Sequence, residues 1–258
     1  MGRVAGRSPR GGASLVEWAD DAFVLSARVH GEAGAIVDLL TADHGRHAGH
    51  LPGGASRKMK PYLQPGARVM AEFRARTSEQ LGSLRLEPVG EGPAALFDDA
   101  LALAGLSAAA AVAAGALPER EPHPGAFLAF EALVSAFAHD AVWPAVFVRF
   151  EAGLLEELGF GLDLSRCAAT GTTDDLVYVS PRTGRAVSRA AGEPYAQRML
   201  TLPPFLLGGQ AGLSEGDVGS GFDLTGHFLE QFVFGPLNRP LPPARVWLLE
   251  KLAQAGRL

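Results

Sequence analysis

Cysteine is almost absent from this sequence, in which Cys167 is the single one among 258 residues. One cysteine excludes an intramolecular disulfide, and it cannot complete a metal site made of thiolates. An unpaired cysteine is typical of a reducing compartment, so we expect a cytoplasmic protein.

Long apolar runs are missing as well. A membrane-spanning helix needs roughly 20 apolar residues, whereas the most apolar stretch, 100–117, consists mainly of alanine and is interrupted by Ser107. Residues 1–16 contain three arginines but no apolar segment, which argues against a secretory signal. We expect them to form a disordered basic tail, or to precede the true start of the protein.

Signatures of catalysis are also lacking. The sequence has no Gly-x4-Gly-Lys-Ser/Thr loop, so nothing indicates ATP hydrolysis, and no neighbouring base is evident that would activate Cys167 as a nucleophile. His44, His47 and His50 are three residues apart, and on a strand this spacing directs side chains to opposite faces, which disfavours a shared metal ion. We predict a protein that is not an enzyme and needs no cofactor.

Charge is distributed unevenly along the chain, whose net charge is −5. Residues 1–90 contain 12 basic and 9 acidic residues, a net charge of +3. Residues 91–258 contain 11 basic and 19 acidic residues, a net charge of −8. A basic first part joined to an acidic remainder is compatible with nucleic-acid binding through the first part.

The first part has the pattern of a small β-barrel. Alternating apolar residues between turn signals predict strands at 22–29, 35–41, 46–51, 69–76 and 83–89. Asp43-His44-Gly45 and Pro65-Gly66 are typical turn sequences. Five short strands in so short a segment favour an OB-fold barrel over residues 17–90.

The second part, 91–258, has the spacing of helices. Apolar residues recur at helical intervals, and proline and glycine stand where helices begin and end. The predicted helices are 94–104, 108–117, 125–139, 145–158, 194–200, 223–234 and 243–255. A loop-rich insert, 163–192, contains short strands near 176–179 and 186–188. The predicted fold class is therefore α+β, a barrel followed by a mostly helical domain.

Several segments together carry a family resemblance. They are Trp18-x4-Phe23-Val24-Leu25, His30-Gly31-Glu32, Leu39-Leu40-Thr41-x2-His44-Gly45, Gly53-Gly54-x-Ser56-Arg57, Leu63-Gln64-Pro65-Gly66, Val148-Arg149-Phe150-Glu151-x2-Leu154-Leu155-x2-Leu158-Gly159, Leu162-Asp163-Leu164-x2-Cys167 and Phe205-Leu206. From Trp18 onward the chain resembles the RecO family. The resemblance implies a bacterial, nucleoid-associated recombination mediator of the RecF–RecO–RecR pathway. Such a protein binds single- and double-stranded DNA, anneals complementary strands, contacts RecR and the C-terminal tail of single-stranded-DNA-binding protein, and helps to load RecA, with RecF an indirect partner.

One part of the family pattern is missing. Many members of the family hold zinc with two Cys-x2-Cys pairs in the insert, and the matching positions here are Cys167, Thr170, Ser188 and Ala191. Structural zinc requires four nitrogen or sulfur ligands, and one remains, so we predict no metal. The insert should instead be held by hydrogen bonds and by packing of Leu176, Val177 and Val187.

Basic residues of the barrel are the predicted DNA contacts, because each neutralised phosphate releases condensed counterions. The predicted set is Arg46, Arg57, Lys58, Lys60, Arg74 and Arg76, with Arg68 and Arg85 nearby. Arg74 and Arg76 share one face of a strand. Phe73 lies out of phase with them and should point into the barrel, while Tyr62 could either stack on a base or pack. An ordinary solvated face is the alternative for the whole set.

Arg149 is the predicted partner-binding residue. The resemblance implies an apolar groove that receives the acidic, Phe-ending tail, and a basic residue at its rim would bind the carboxylate. The alternative is a salt bridge to an acidic residue within 151–157. Two other functions remain open from the sequence: an OB-fold protein associated with RNA or the ribosome, and an adaptor that acts only through the acidic helical domain.

Overall fold

A computed structural model describes residues 15–77, 80–90, 99–139, 142–208 and 212–258. In these residues the fold is α+β, as predicted: a closed five-stranded barrel is followed by helices and a small three-stranded sheet. No helix in the described ranges combines the length and apolar character needed to cross a bilayer. Of the predicted tail, residues 1–14 lie outside the described ranges, and Val16 already belongs to the first strand.

The five predicted barrel strands are confirmed. They are β1 (Val16–His30), β2 (Gly34–Thr41), β3 (Arg46–Leu51), β4 (Arg68–Ala75) and β5 (Gly82–Pro88). Their order around the barrel is β1-β2-β3-β5-β4, with β4 closing on β1 and with β3–β5 as the parallel pair. This is the arrangement of an OB fold.

The first strand is longer than the alternation pattern predicted. Its first half pairs with β4, from Val16 opposite Ala75 to Phe23 opposite Arg68, and its second half pairs with β2. A β-bulge between Val24 and Ser26 separates the two halves. A bulge bends and twists a strand, which allows one strand to serve both neighbours in a closed barrel.

Phe73 points into the barrel, as its phase along β4 predicted, and is 2% exposed. A Cβ atom on Gly82 would lie 2.3 Å from the Phe73 ring, so the neighbouring strand must have glycine there for the two strands to pair. The rest of the barrel interior is aliphatic. It includes Val24, Val37, Leu39, Val69 and Leu84.

The second part contains six α-helices in the described ranges. They are α1 (Ala100–Ala116), α2 (Pro124–Ala136), α3 (Trp143–Glu157), α4 (Arg189–Gly192), α5 (Asp217–Phe228) and α6 (Pro243–Gln254). The sequence predicted two helices where α1 is continuous, and residues 94–98 of that prediction lie outside the described ranges. Gly105 lies inside α1 at a place where a Cβ atom would lie 2.5 Å from the Phe137 ring. Ser107 is accommodated in the helix because its hydroxyl donates to the Leu103 carbonyl at 2.9 Å.

Two predictions near the C-terminus needed correction. The helix predicted at 223–234 begins earlier, after Gly216 with φ +81°, and its last residues form a π-helical turn, Leu229–Phe234. The helix predicted at 194–200 is a 3-10 segment, Glu193–Arg198. The chain then extends as β8 (Leu200–Thr201), which pairs with β6 (Leu176–Val179).

The small sheet has the order β7-β6-β8, where β7 is Ala186–Ser188. The two strands predicted within the insert are therefore confirmed. The third strand lies beyond the predicted boundary of the insert at residue 192. It is two residues long, too short for an alternation pattern to reveal.

The barrel packs against the helices through β1. The Phe23 ring lies 5.3 Å from Phe127 and 5.4 Å from Phe130 on α2, measured between ring centroids. Arg68 covers Phe23 and pairs with Asp21 of the barrel and with Glu131 of α2. The part of β1 around Phe23 is thereby covered, whereas Arg74 on β4 and Arg85 on β5 remain exposed.

A buried ion pair joins three helices. Glu151 of α3 is 0% exposed and Arg245 of α6 is 3% exposed. Two parallel hydrogen bonds connect them, at 2.6 Å from Nε and 3.0 Å from a terminal nitrogen. On α5 the Thr225 hydroxyl donates to the same carboxylate, and the Phe222 carbonyl accepts from Arg245 at 2.8 Å. Both carboxylate oxygens and two of the three guanidinium nitrogens thus have hydrogen-bond partners at a buried site.

We predict that Arg245→Ala strongly destabilises the protein. Removing one member of a buried pair leaves the other charge without compensation, which costs about 3–5 kcal/mol. Urea unfolding followed by circular dichroism would measure the change in the free energy of unfolding. Arg239→Ala removes an exposed arginine from the same region and should change stability by less than about 0.5 kcal/mol. Equal effects of the two substitutions would contradict this role for the ion pair.

Candidate nucleic-acid interface

The segment between β3 and β4 forms a basic ridge, which we define as residues 52–60. Near its start, Gly53 has a φ of +73°. The ridge is folded by hydrogen bonds from the amides of Met59 and Lys60 to the Ser56 carbonyl, at 3.1 and 3.2 Å. Buried Leu63, in the following 3-10 turn, anchors the ridge to the barrel. Its side chains therefore project outward from a fixed backbone.

Three predicted DNA contacts, Arg57, Lys58 and Lys60, are exposed on the ridge. Within the described part of the chain, none of them forms an ion pair with an acidic residue. Their charges are thus not compensated locally. A ligand phosphate could replace water around them without breaking an existing bond.

A groove beside the ridge brings the ridge and β4 together. It has a volume of about 460 Å³, and we call it the β5 groove. It is lined by Leu51, Pro52, Met59, Glu72, Arg74, Ser83, Leu84, Arg85 and Leu86. Pro52 and Met59 of the ridge therefore line the same concave surface as Arg74 of β4, while Arg57, Lys58 and Lys60 lie on the ridge beside it.

The Arg74 and Arg85 side chains are 68% and 70% exposed at the edge of the β5 groove. Arg74 lies 3.4 Å from Glu17, and Arg85 lies 3.0 Å from Glu87. Ion pairs this exposed contribute little to stability. Both guanidinium groups therefore remain available to a phosphate. Arg76 is exposed just beyond the end of β4, and Ala75 between it and Arg74 is buried.

Arg46 has a different environment from the one expected of a DNA contact. Its guanidinium lies 2.9 Å from Asp38 and 3.7 Å from Glu119, and donates to the Leu117 carbonyl at 3.2 Å. Burial raises the pKa of Asp38 in spite of the arginine beside it. Arg46 thus ties the barrel to the segment after α1, and the geometry favours a structural role over the predicted contact with DNA.

Aromatic rings of the barrel are covered rather than offered to bases. Trp18 stacks on His44 and on Phe73, with ring centroids 4.5 Å and 5.0 Å apart. His47 meets the edge of Trp18, and burial lowers the pKa of its imidazole. Tyr62 is half-buried and its role stays open.

The three histidines do not converge. His44 and His47 both contact Trp18, because the turn before β3 brings His44 back over the barrel, whereas His50 lies against His30. Across the described residues, no group of three or more His, Cys, Asp or Glu side chains could hold a metal ion.

A second groove, which we call the α3 groove, contains Arg149. It has a volume of about 490 Å³ and is lined by Arg149, Ala152, Gly153, Glu156, Leu162, Leu164, Phe205, Leu206 and Gly208. Arg149 donates to the Phe205 carbonyl at 2.6 Å, which fixes its guanidinium at the groove. The alternative salt bridge is not formed within the described ranges, since Glu151 pairs with Arg245 instead.

Two of the positions that match the family's zinc ligands, Thr170 and Ser188, contact the sulfur of a third, Cys167. The Cys167 Sγ atom accepts hydrogen bonds from the amide and the hydroxyl of Ser188, at 3.3 and 3.4 Å, and Thr170 also donates to it. One sulfur, two hydroxyl groups and the methyl group of Ala191 do not provide the four ligands that zinc requires. Burial alone would raise the pKa of the Cys167 thiol, but the hydrogen bonds outweigh it and lower the pKa to about 6.

This sulfur predicts a pH dependence of stability. A thiol whose pKa is lower in the folded than in the unfolded state binds fewer protons when folded, so stability rises with pH between the two values. We expect the free energy of unfolding to rise from about pH 6 to an unfolded-state pKa of about 8.5. In Cys167→Ala this rise should be absent, as measured by urea unfolding across that range. An unchanged pH profile in the variant would show that the thiol is not ionised.

Comparisons with known proteins cover almost the whole chain. Residues 15–90 match the family model "Recombination protein O N terminal", and residues 98–241 match "Recombination protein O C terminal". The DNA repair protein RecO of Phenylobacterium zucineum is 76% identical over 243 residues, which cover 94% of this chain and 100% of that protein. The RecO proteins of Caulobacter sp. strain K31, with 71% identity over 94% of this chain and 100% of the relative, and of Rhodospirillum centenum, with 54% over 93% and 96%, are also similar. The chain belongs to the RecO family of DNA repair proteins.

Proposed function

We propose that this RecO-family protein is a recombination mediator of the RecF–RecO–RecR pathway. It binds single- and double-stranded DNA, anneals complementary strands, and helps to load RecA onto DNA coated with single-stranded-DNA-binding protein. The observation that supports this best is the basic ridge beside the β5 groove. There Arg57, Lys58 and Lys60 are exposed without acidic partners among the described residues.

Electrostatics explains why DNA would approach this part of the surface. The chain as a whole carries a net charge of −5, which repels a polyanion. The ridge concentrates positive charge on a backbone held by local hydrogen bonds, so little ordering is required when phosphates bind. Release of counterions then favours binding irrespective of base sequence.

The lining of the β5 groove suits annealing. Proteins that sequester single strands stack the bases on aromatic side chains. No aromatic residue is among the described residues that line this groove, and the barrel aromatics Trp18 and Phe73 are covered by other rings. A strand held here through its phosphates would keep its bases available for pairing.

We predict that replacing Arg57, Lys58 and Lys60 together with alanine weakens binding to single-stranded DNA of any sequence. Each neutralised phosphate contributes about 0.7 to the slope of log K against log salt, so the slope should fall by about 2 and affinity by about a hundredfold near 0.1 M salt. Fluorescence anisotropy with a labelled oligonucleotide at several salt concentrations measures both quantities.

The matched control replaces three exposed arginines of the insert region, Arg166, Arg182 and Arg198, with alanine. This variant has the same net charge as the ridge variant. An equal loss of DNA affinity in the ridge variant and the control variant would mean that net charge rather than the ridge governs binding. Stronger binding of the wild-type chain to RNA than to DNA of the same sequence would favour the alternative of an RNA- or ribosome-associated protein.

The α3 groove fits the tail of single-stranded-DNA-binding protein, which we propose as its ligand. Leu162, Leu164 and Phe205 provide apolar walls for a terminal Phe side chain, and Arg149 is available for the terminal carboxylate. Glu156 lies two helical turns further along α3, about 10 Å along the axis. An acidic peptide would therefore place its carboxylate at the Arg149 end.

We predict that Arg149→Ala weakens binding of a short acidic peptide ending in Phe by at least about tenfold, because a hydrogen bond to a charged group contributes about 1.5–3 kcal/mol. Glu156→Gln should strengthen binding, since it removes a negative charge from the groove. Anisotropy of the labelled peptide measures both effects, with the C-terminally amidated peptide as the control. The same affinity for the amidated and the free peptide would exclude carboxylate recognition by Arg149.

The remaining assignments rest on membership of the family. We infer that the chain contacts RecR directly and RecF and RecA indirectly, that it acts by binding rather than by catalysis, and that it works at the bacterial nucleoid. Its contribution would be to hold DNA on the barrel while the helical domain binds partner proteins.

A further inference from the structure

The basic ridge is flanked by a second concave surface on its other side. This surface, which we call the β1 groove, has a volume of about 330 Å³. It is lined by Ala27, Arg28, Val29, Ala35, Gly54, Ala55, Lys60, Leu63 and Gln64. The ridge contributes Pro52 and Met59 to the β5 groove and Gly54, Ala55 and Lys60 to the β1 groove, so it forms a wall between the two.

The β1 groove, like the β5 groove, is lined by two basic residues, but its described lining contains no acidic residue such as Glu72 of the β5 groove. Arg28 and Lys60 are both exposed, and neither forms an ion pair within the described ranges. Small residues form its floor, because Gly54 packs against Ala35 so closely that a Cβ atom on the glycine would lie 2.7 Å from the Ala35 Cβ. None of the described residues that line it is aromatic.

We infer that the two grooves hold the backbones of two single strands at the same time, one on each side of the ridge. Arg28 and Lys60 would bind the phosphates of one strand, and Arg74 and Arg85 those of the other. This inference rests on the proposed function and adds that a single barrel binds both strands that are to be annealed.

Charge supplies the physical reason for such an arrangement. Two DNA backbones repel each other, and this repulsion opposes the encounter of complementary strands. Arg57 and Lys58 project from the wall between the grooves and would screen each backbone from the other. Because neither groove has an aromatic lining residue among those described, the bases of both strands stay free to pair.

The test uses two oligo(dT) strands, one labelled with a donor and one with an acceptor, which cannot pair with each other. Energy transfer between them on the full-length protein reports simultaneous binding. We expect energy transfer with the wild-type chain and its loss in Arg28→Ala and in Arg85→Ala, each of which should still bind one strand.

Annealing of complementary strands should slow by about tenfold in both variants, in keeping with one lost charge-assisted contact. Arg28→Lys should retain transfer, and Arg182→Ala serves as the control for charge.

The outcomes separate this inference from the proposed function. Energy transfer and annealing that persist in both Arg28→Ala and Arg85→Ala would overturn the two-strand arrangement, even if the ridge variant loses affinity for DNA. Unchanged affinity of the ridge variant would instead refute the assignment of the DNA site itself. Both arginines are exposed, so their substitution should leave the thermal unfolding curve unchanged, and this is checked first.

Discussion

The bidentate ion pair between Glu151 and Arg245 is the interaction on which the helical part depends. It fixes α3 against α6, with α5 bound to the same carboxylate through Thr225. The opposite side of α3 presents Arg149 to the α3 groove, so the position of that groove follows from the buried pair. Charges taken out of water require compensating partners, and the backbone carbonyl of Phe222 is a further acceptor for Arg245.

The contact between barrel and helices decides which surface of the barrel can meet DNA. Phe23, Arg68 and Arg46 all lie on or beside strands that face the helical part, and their side chains are used in packing or ion pairs there. The ridge, β4 and β5 retain exposed basic side chains. The division of basic residues between structure and binding thus follows from how the barrel is docked.

Hydrogen bonds to a single sulfur atom organise the insert. Two of the other three positions in the family's zinc pattern, Thr170 and Ser188, donate hydrogen bonds to the Cys167 sulfur. Backbone hydrogen bonds from Cys167 to Thr172 and from Gly171 to Cys167 hold the turn. These donors lower the pKa of the Cys167 thiol, because hydrogen bonds to an ionised acceptor are stronger than those to a neutral one.

The sequence alone determined the α+β class, the five barrel strands, the inward orientation of Phe73 and the loss of the zinc ligands, because alternation, turn residues and ligand counts are local properties. Family membership could also be read from short motifs. Only the tertiary structure decided that Arg46 is tied to Asp38 while Arg57 is free of acidic partners among the described residues, and that Arg28 borders a groove with Lys60. Those outcomes depend on which distant residues meet when β1 closes the barrel and packs on α2, and no spacing along the chain encodes such long-range contacts.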